Sequence, residues 1–217
     1  MIRILAVIAA VLIPIAALAA PITVHNTGVD GTNALVAMGA ETEFWTLLSA
    51  PGGATEVVGS NTFRFAHAAY IADSLQSAWV SPAASGNASV FGVYVYELLV
   101  DLTGFDLSSV SIKGMFSTDN DGFIRVNGAA AAATTGFADF GSLHAFTLDS
   151  NFLSGINSIQ VGANNGGNPT AFRVEFSEAA GSPIDPTAVP EPASLLLVGS
   201  GIAGLIARRR RQQSHAE

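Results

Sequence analysis

Apolar and polar residues alternate most regularly over residues 90–102. Tyr94, Tyr96, Leu98, Val100 and Leu102 fall on one side at a period of two, with Glu97 and Asp101 on the other, which is the pattern of a strand with one buried face. Thr103-Gly104 ends it. Apolar runs at 110–116 and 123–126 predict two more strands, and Asn127-Gly128 after the second predicts a tight hairpin turn, because both residues tolerate positive φ. Further strands are predicted at 145–148, 158–161 and 171–176, and earlier ones at 21–24, 44–48 and 79–80. Short strands separated by turns at near-regular spacing point to an all-β sandwich or barrel. Residues 66–76 predict at most one short turn of helix. The alanine run 129–133 is helical by propensity, but it is too short to nucleate a helix and reads as a loop.

Both ends of the chain follow a different rule. Residues 1–19 carry one charge, Arg3, then run apolar to Leu18 and close on Ala17-Leu18-Ala19. A short apolar run ending in a small-x-small pattern predicts a signal peptide cut after Ala19 by signal peptidase, since about 15 apolar residues is short for a spanning helix. Residues 20–178 then form the sandwich domain. Residues 179–188, Ala-Ala-Gly-Ser-Pro-Ile-Asp-Pro-Thr-Ala, have no periodicity and read as a linker.

Charge narrows the partners. Of the nine basic residues only Arg64, Lys113, Arg125 and Arg173 lie within the body, against most of the 17 acidic ones. So acidic a surface excludes nucleic-acid binding, which requires cations to neutralise phosphates, and disfavours adhesion to anionic lipid. Cysteine is absent, so an exported body must hold together without disulfides, by packing and hydrogen bonding alone.

The segment 189–217 has three parts in order: Val189-Pro190-Glu191-Pro192, an apolar stretch 193–207, and Arg208-Arg209-Arg210-Arg211 leading into a short polar tail. As a helix, the apolar stretch extends about 22 Å, less than the roughly 30 Å of a bilayer core. It is therefore read as a short transmembrane helix, with the arginines and the tail 208–217 in the cytoplasm and the body outside. The prolines bias Glu191 toward an extended conformation just before it. This ordered combination resembles the PEP-CTERM sorting signal. The resemblance implies recognition by exosortase, a membrane-embedded transpeptidase-like enzyme, after a transient stay in the inner membrane. It also implies release of the body to the envelope surface or extracellular matrix, among proteins associated with exopolysaccharide and biofilm.

A second resemblance covers about half of the body. Residues 116–128, Phe-Ser-Thr-Asp-Asn-Asp-Gly-Phe-Ile-Arg-Val-Asn-Gly, are similar to a segment of galactose-binding-like jelly-roll domains, as are Asp101-Leu102-Thr103-Gly104-Phe105 and Asn168-Pro169-Thr170. The fold it implies is an antiparallel jelly-roll β-sandwich, and many such domains bind sugars. Arg125 and Asn127 in this segment are candidate ligand contacts. Trp45 and Trp79, the two tryptophans of the chain, are candidates for stacking on a sugar ring, although both contexts suit core packing better. Asp119-Asn120-Asp121-Gly122 resembles half of a calcium loop without the later oxygen ligands and the terminal Glu. An Asx-rich turn explains it without a metal, so calcium stays open as the one cofactor the sequence raises.

His25, His67 and His144 are far apart with no metal-ligand spacing, and no nucleophilic triad or paired-carboxylate motif stands out. The expected function is therefore that of an exported, non-enzymatic surface or matrix protein that contacts polysaccharide. The alternatives are a secreted polysaccharide-active hydrolase or lyase, and a purely structural envelope protein.

Overall fold

The computed structural model describes residues 19–184. The predicted signal peptide at 1–19 falls almost wholly outside them, as do the transmembrane helix at 193–207 and the sorting residues Val189, Pro190, Glu191, Pro192 and Arg208 to Arg211. No helix among the described residues is long and apolar enough to cross a membrane. All the elements below belong to one compact unit that ends at Pro183.

Eleven strands account for nearly all the regular structure: β1 Ala20–Pro21, β2 Glu41–Ser49, β3 Asn61–Arg64, β4 Val80–Ser81, β5 Gly92–Asp101, β6 Ser111–Asp119, β7 Gly122–Val126, β8 Ala133–Thr135, β9 His144–Leu148, β10 Ile156–Asn165 and β11 Ala171–Gly181. Two 3-10 turns, Leu107–Ser109 and Asp139–Gly141, complete the described elements. The strands pair antiparallel in the order β8-β7-β10-β5-β2-β3-β4-β11-β6-β9, with β1 on β11. The sheet curls until its two ends, β8 and β9, come into contact, so it is nearly closed and leaves little unpaired edge. One wall is β7-β10-β5-β2 and the other is β4-β11-β6-β9.

The core lies between these walls. On β5, Tyr94, Tyr96, Leu98 and Val100 are buried, whereas Leu99 and Asp101 on the opposite face are exposed. The Tyr96 ring stacks on Phe172 of β11, centroids 4.4 Å apart, and Trp45 of β2 meets Phe172 edge-on at 5.3 Å. Phe116 and Phe146 close the far side in an edge-to-face pair. Each of these aromatics removes a large apolar area from water, worth about 1.5–3 kcal/mol per side chain, which is the stabilisation a cysteine-free chain must rely on.

Several strand limits differ from the pattern-based ones for identifiable reasons. β3 was not predicted, because its inward residue Thr62 is polar; it hydrogen-bonds Thr42 of β2 across 2.7 Å. Residues 66–76 form no helix, because Asp73 anchors them instead: one oxygen accepts from the Trp79 amide at 3.0 Å and the other from Arg64 at 2.9 Å. Asn127 and Gly128 do take positive φ, 51° and 74°. The turn they make is followed by residues 129–132 before β8, whose first residue is Ala133. β11 continues to Gly181, three residues into the expected linker, because Ala179 and Ala180 still pair with β6 and Gly181 pairs with Ala20.

Candidate functional site

The four candidate ligand residues do not converge. Trp45 and Trp79 are each 1% exposed. Their indole N–H groups donate to the carbonyls of His25 and Ile71 at 3.0 and 2.9 Å, as a tryptophan built into a core requires. Neither presents a face to solvent, which corrects the ring-stacking expectation. Arg125 lies on the outer side of β7, where its Nε donates to Gln160 at 2.8 Å and its guanidinium sits over the Phe123 ring. Asn127 serves the turn: its amide donates to Asn151 O and Asn157 Oδ1, and its Oδ1 accepts from the Ser158 amide. Both side chains are occupied in holding β7 against β10.

The acidic turn between β6 and β7 is also built for structure. Asp119 accepts from Tyr70 and from Asn120. Asn120 Oδ1 accepts from the Gly166 amide at 2.8 Å, and Asp121 accepts from Asn164 at 2.9 Å. The three side chains address three different neighbours rather than one central point, and no cluster of three His, Asp or Glu groups suited to a metal occurs among the described residues. None of the three makes the local side-chain-to-backbone bond of an Asx-turn; they reach Tyr70, Gly166 and Asn164 in other segments instead.

That turn is nevertheless part of an open cleft. A cleft of about 330 Å³ opens where the 65–71 loop, the β6–β7 turn, the segment after β8 and the β10–β11 loop meet. Tyr70, Phe137 and Phe140 form its aromatic wall, Asp119 and Asn120 its polar floor, and His67 and Asn168 its rim. Tyr70 is buried, 4.4 Å from the Trp79 ring and 5.8 Å from Phe140. Phe137 is 64% exposed, a large apolar ring presented to water beside a concave polar surface.

Electrostatics in the cleft centre on one pair. Burial pushes the Asp119 carboxyl up, and the Tyr70 hydrogen bond and the nearby His67 only partly oppose this. The Tyr70 phenol is pushed well above its ordinary range, first by burial and then by the hydrogen bond to Asp119 and its charge. In the cleft the Tyr70 hydroxyl acts as a hydrogen-bond donor to Asp119.

Two other hollows lie elsewhere on the body. One, of about 390 Å³, lies beside β11, but its Asn26 side chain is engaged at both ends, by Gln76 O and the Phe176 amide. The other, of about 290 Å³, lies on the outer face of β7 and β10 around Gly122 and Gly162. Of the cleft residues, sequence reading singled out Asp119 and Asn120 as metal ligands and His67 only to set it aside. Tyr70 and Phe137 carried no signal, since neither belongs to a periodic pattern or a motif.

The loops that shape the cleft are tied down from behind. Arg173 of β11 is 2% exposed. Its guanidinium donates to Ala72 O at 2.6 Å, Ser77 Oγ at 2.7 Å and Glu175 at 2.9 Å, while Ser74 and Ser77 donate to the same Glu175 oxygen. This network fixes residues 72–77, directly after Tyr70.

No curated protein and no solved structure matches the chain. Residues 188–211 match the family described as the PEP-CTERM protein-sorting motif, over the same segment as the Pro-Glu-Pro, apolar and arginine blocks. The chain therefore carries a PEP-CTERM sorting motif, which marks it for processing by exosortase and for export through the membrane to the surface of the cell envelope.

Proposed function

We propose that the protein is a non-enzymatic component of the extracellular polysaccharide matrix, delivered as a β-sandwich body by its sorting motif. The observation that carries this reading is the union of that motif at 188–211 with an acidic, nearly closed all-β body. Export supplies the location, and a compact sandwich with few exposed cations suits a hydrated matrix better than a lipid or nucleic-acid surface. The jelly-roll assignment belongs to this proposal, supported by antiparallel pairing throughout and by two facing walls. Calcium has no role in it.

A hydrolase or lyase is the competing reading. The cleft argues against it on two counts. Among the described residues lining it, Asp119 is the only carboxylate, whereas glycoside hydrolysis by the usual route uses a pair. The only phenol, Tyr70, is buried and its hydroxyl is already engaged with Asp119.

The test is fractionation of cells together with incubation of the purified protein with the polysaccharide from the same cells. Matrix membership predicts that the protein co-purifies with high-molecular-mass polysaccharide and that the polymer keeps its chain length. Shortening of the polymer, abolished by a single carboxylate substitution, would establish the enzyme instead.

A further inference from the structure

We propose that the cleft between Tyr70, Phe137 and Asn120 binds a neutral, hydroxyl-rich saccharide, one pyranose unit at a time. The choice of a saccharide rests on the matrix role proposed above, whereas the choice of place rests on the cleft's own geometry.

Three observations converge. The first is shape: about 330 Å³ is at the small end of ligand sites, which run from roughly 300 to 1,000 Å³. That is room for one sugar ring with its neighbours trailing into solvent. The second is the pairing of apolar and polar walls. The exposed Phe137 ring offers a flat surface to the C–H face of a pyranose, beside a floor made by Asp119 and Asn120, which are 6% and 8% exposed.

Each Asp119 oxygen accepts one hydrogen bond, from Tyr70 or from Asn120, and keeps a second lone pair. Asn120 Nδ2 donates one hydrogen to Asp119 and keeps another. An acceptor and a donor side by side match two vicinal hydroxyls. Because the floor is already held by Tyr70 and the Gly166 amide, little ordering is required on binding.

The third observation is charge. The described residues lining the cleft include no Lys or Arg, and its floor holds a carboxylate. A uronate, sulfate or phosphate group would meet repulsion from that carboxylate, with only the rim His67 able to offset it. Neutral sugars are the class that remains.

The experiment uses the full chain in a detergent without a sugar headgroup. Mobility is measured in gels containing dextran, galactomannan or polygalacturonate. Methyl glucoside, galactoside and mannoside are titrated by tryptophan fluorescence, for which Trp79, 4.4 Å from Tyr70, is the reporter. The expected result is retardation by a neutral polymer, saturable quenching by at least one methyl glycoside, and about a tenfold loss of affinity in Phe137→Ala. Because Phe137 is exposed, its replacement should leave the melting temperature unchanged, and His67→Ala at the rim provides a second surface variant expected to weaken binding.

Absence of binding to every neutral probe overturns the proposal. So does stronger retardation by polygalacturonate, or affinity unchanged in both variants. Co-purification with cellular polysaccharide that survives Phe137→Ala and His67→Ala would overturn the cleft but leave the matrix role standing. Loss of co-purification in the wild type would remove the matrix role, while the glycoside titration would still judge the cleft.

Discussion

The Tyr70 hydroxyl donates to Oδ2 of Asp119 across 2.6 Å, joining residues 49 apart in sequence. It ties the loop after β3 to the end of β6 and offsets part of what burial does to the Asp119 carboxyl. Burial raises the Asp119 carboxyl above its ordinary value of 3.8. An acid whose pKa is raised by folding destabilises the fold once ionised. The penalty begins as pH rises past the ordinary value and is complete above the folded one. The hydrogen bond from Tyr70 reduces it.

Tyr70→Phe removes that donor and leaves a buried carboxylate less well satisfied. The expected cost is about 1–3 kcal/mol at pH 7, read as a shift in denaturant midpoint. The difference between variant and wild type should shrink as pH falls through the raised Asp119 value, because the carboxyl then takes up its proton in both proteins. A cost independent of pH would show that the bond matters only for packing.

Glu175 behaves with the opposite sign. Burial alone would push its carboxyl up, but the hydroxyls of Ser74 and Ser77 and the Arg173 guanidinium hold it below its ordinary value of 4.5. A lowered carboxylate contributes stability that is present above the ordinary value and is lost as pH falls through the folded one. Glu175→Gln is expected to cost about 2–4 kcal/mol at neutral pH, since Arg173 would keep its charge in the interior without its partner. Acid unfolding below pH 4.5 should become shallower in the variant. An unchanged acid limb would mean that other carboxylates control it.

The Tyr96 hydroxyl is buried and has no hydrogen-bond partner, although its ring stacks well on Phe172. Desolvating a hydroxyl without a partner is unfavourable, and removing it keeps the aromatic contact. Tyr96→Phe is therefore expected to stabilise the protein by about 1 kcal/mol, measured by thermal or denaturant unfolding. Destabilisation would show that the hydroxyl has a partner in solution.

Legibility in the sequence followed the source of burial. β5 was readable because its inward positions, Tyr94 to Val100, are all apolar and its outward ones include Glu97 and Asp101. β3 and β8 were hidden because threonines, Thr62 and Thr135, hold their buried positions through hydroxyl pairs with Thr42 and Thr118. A hydropathy pattern does not see a polar residue that is buried with its partner. Arg173 was counted with the surface charge for the same reason, yet it is one of the most buried side chains. Asp119 and Asn120 were legible as a polar turn, but their joining with Tyr70 and Phe137 depends on loops from three separate parts of the chain. The tail was the most legible feature, because its order of blocks is itself the signal.

Within the matched segment, Pro190-Glu191-Pro192 is the part that an anchor alone would not need. The apolar block and the four arginines suffice to hold and orient a chain in a membrane. The prolines and the glutamate between them are what the matched sorting motif adds to such an anchor. Replacing all three with alanine should therefore leave export and membrane insertion intact and abolish processing. In cell fractions, the variant should accumulate as a longer species in the membrane, while wild-type protein reaches the surface in a shorter form. Deleting Arg208 to Arg211 should act differently, by weakening orientation and retention before any cut is made. Normal size and surface delivery in the alanine variant would show that the apolar and arginine blocks carry sorting without the Pro-Glu-Pro element.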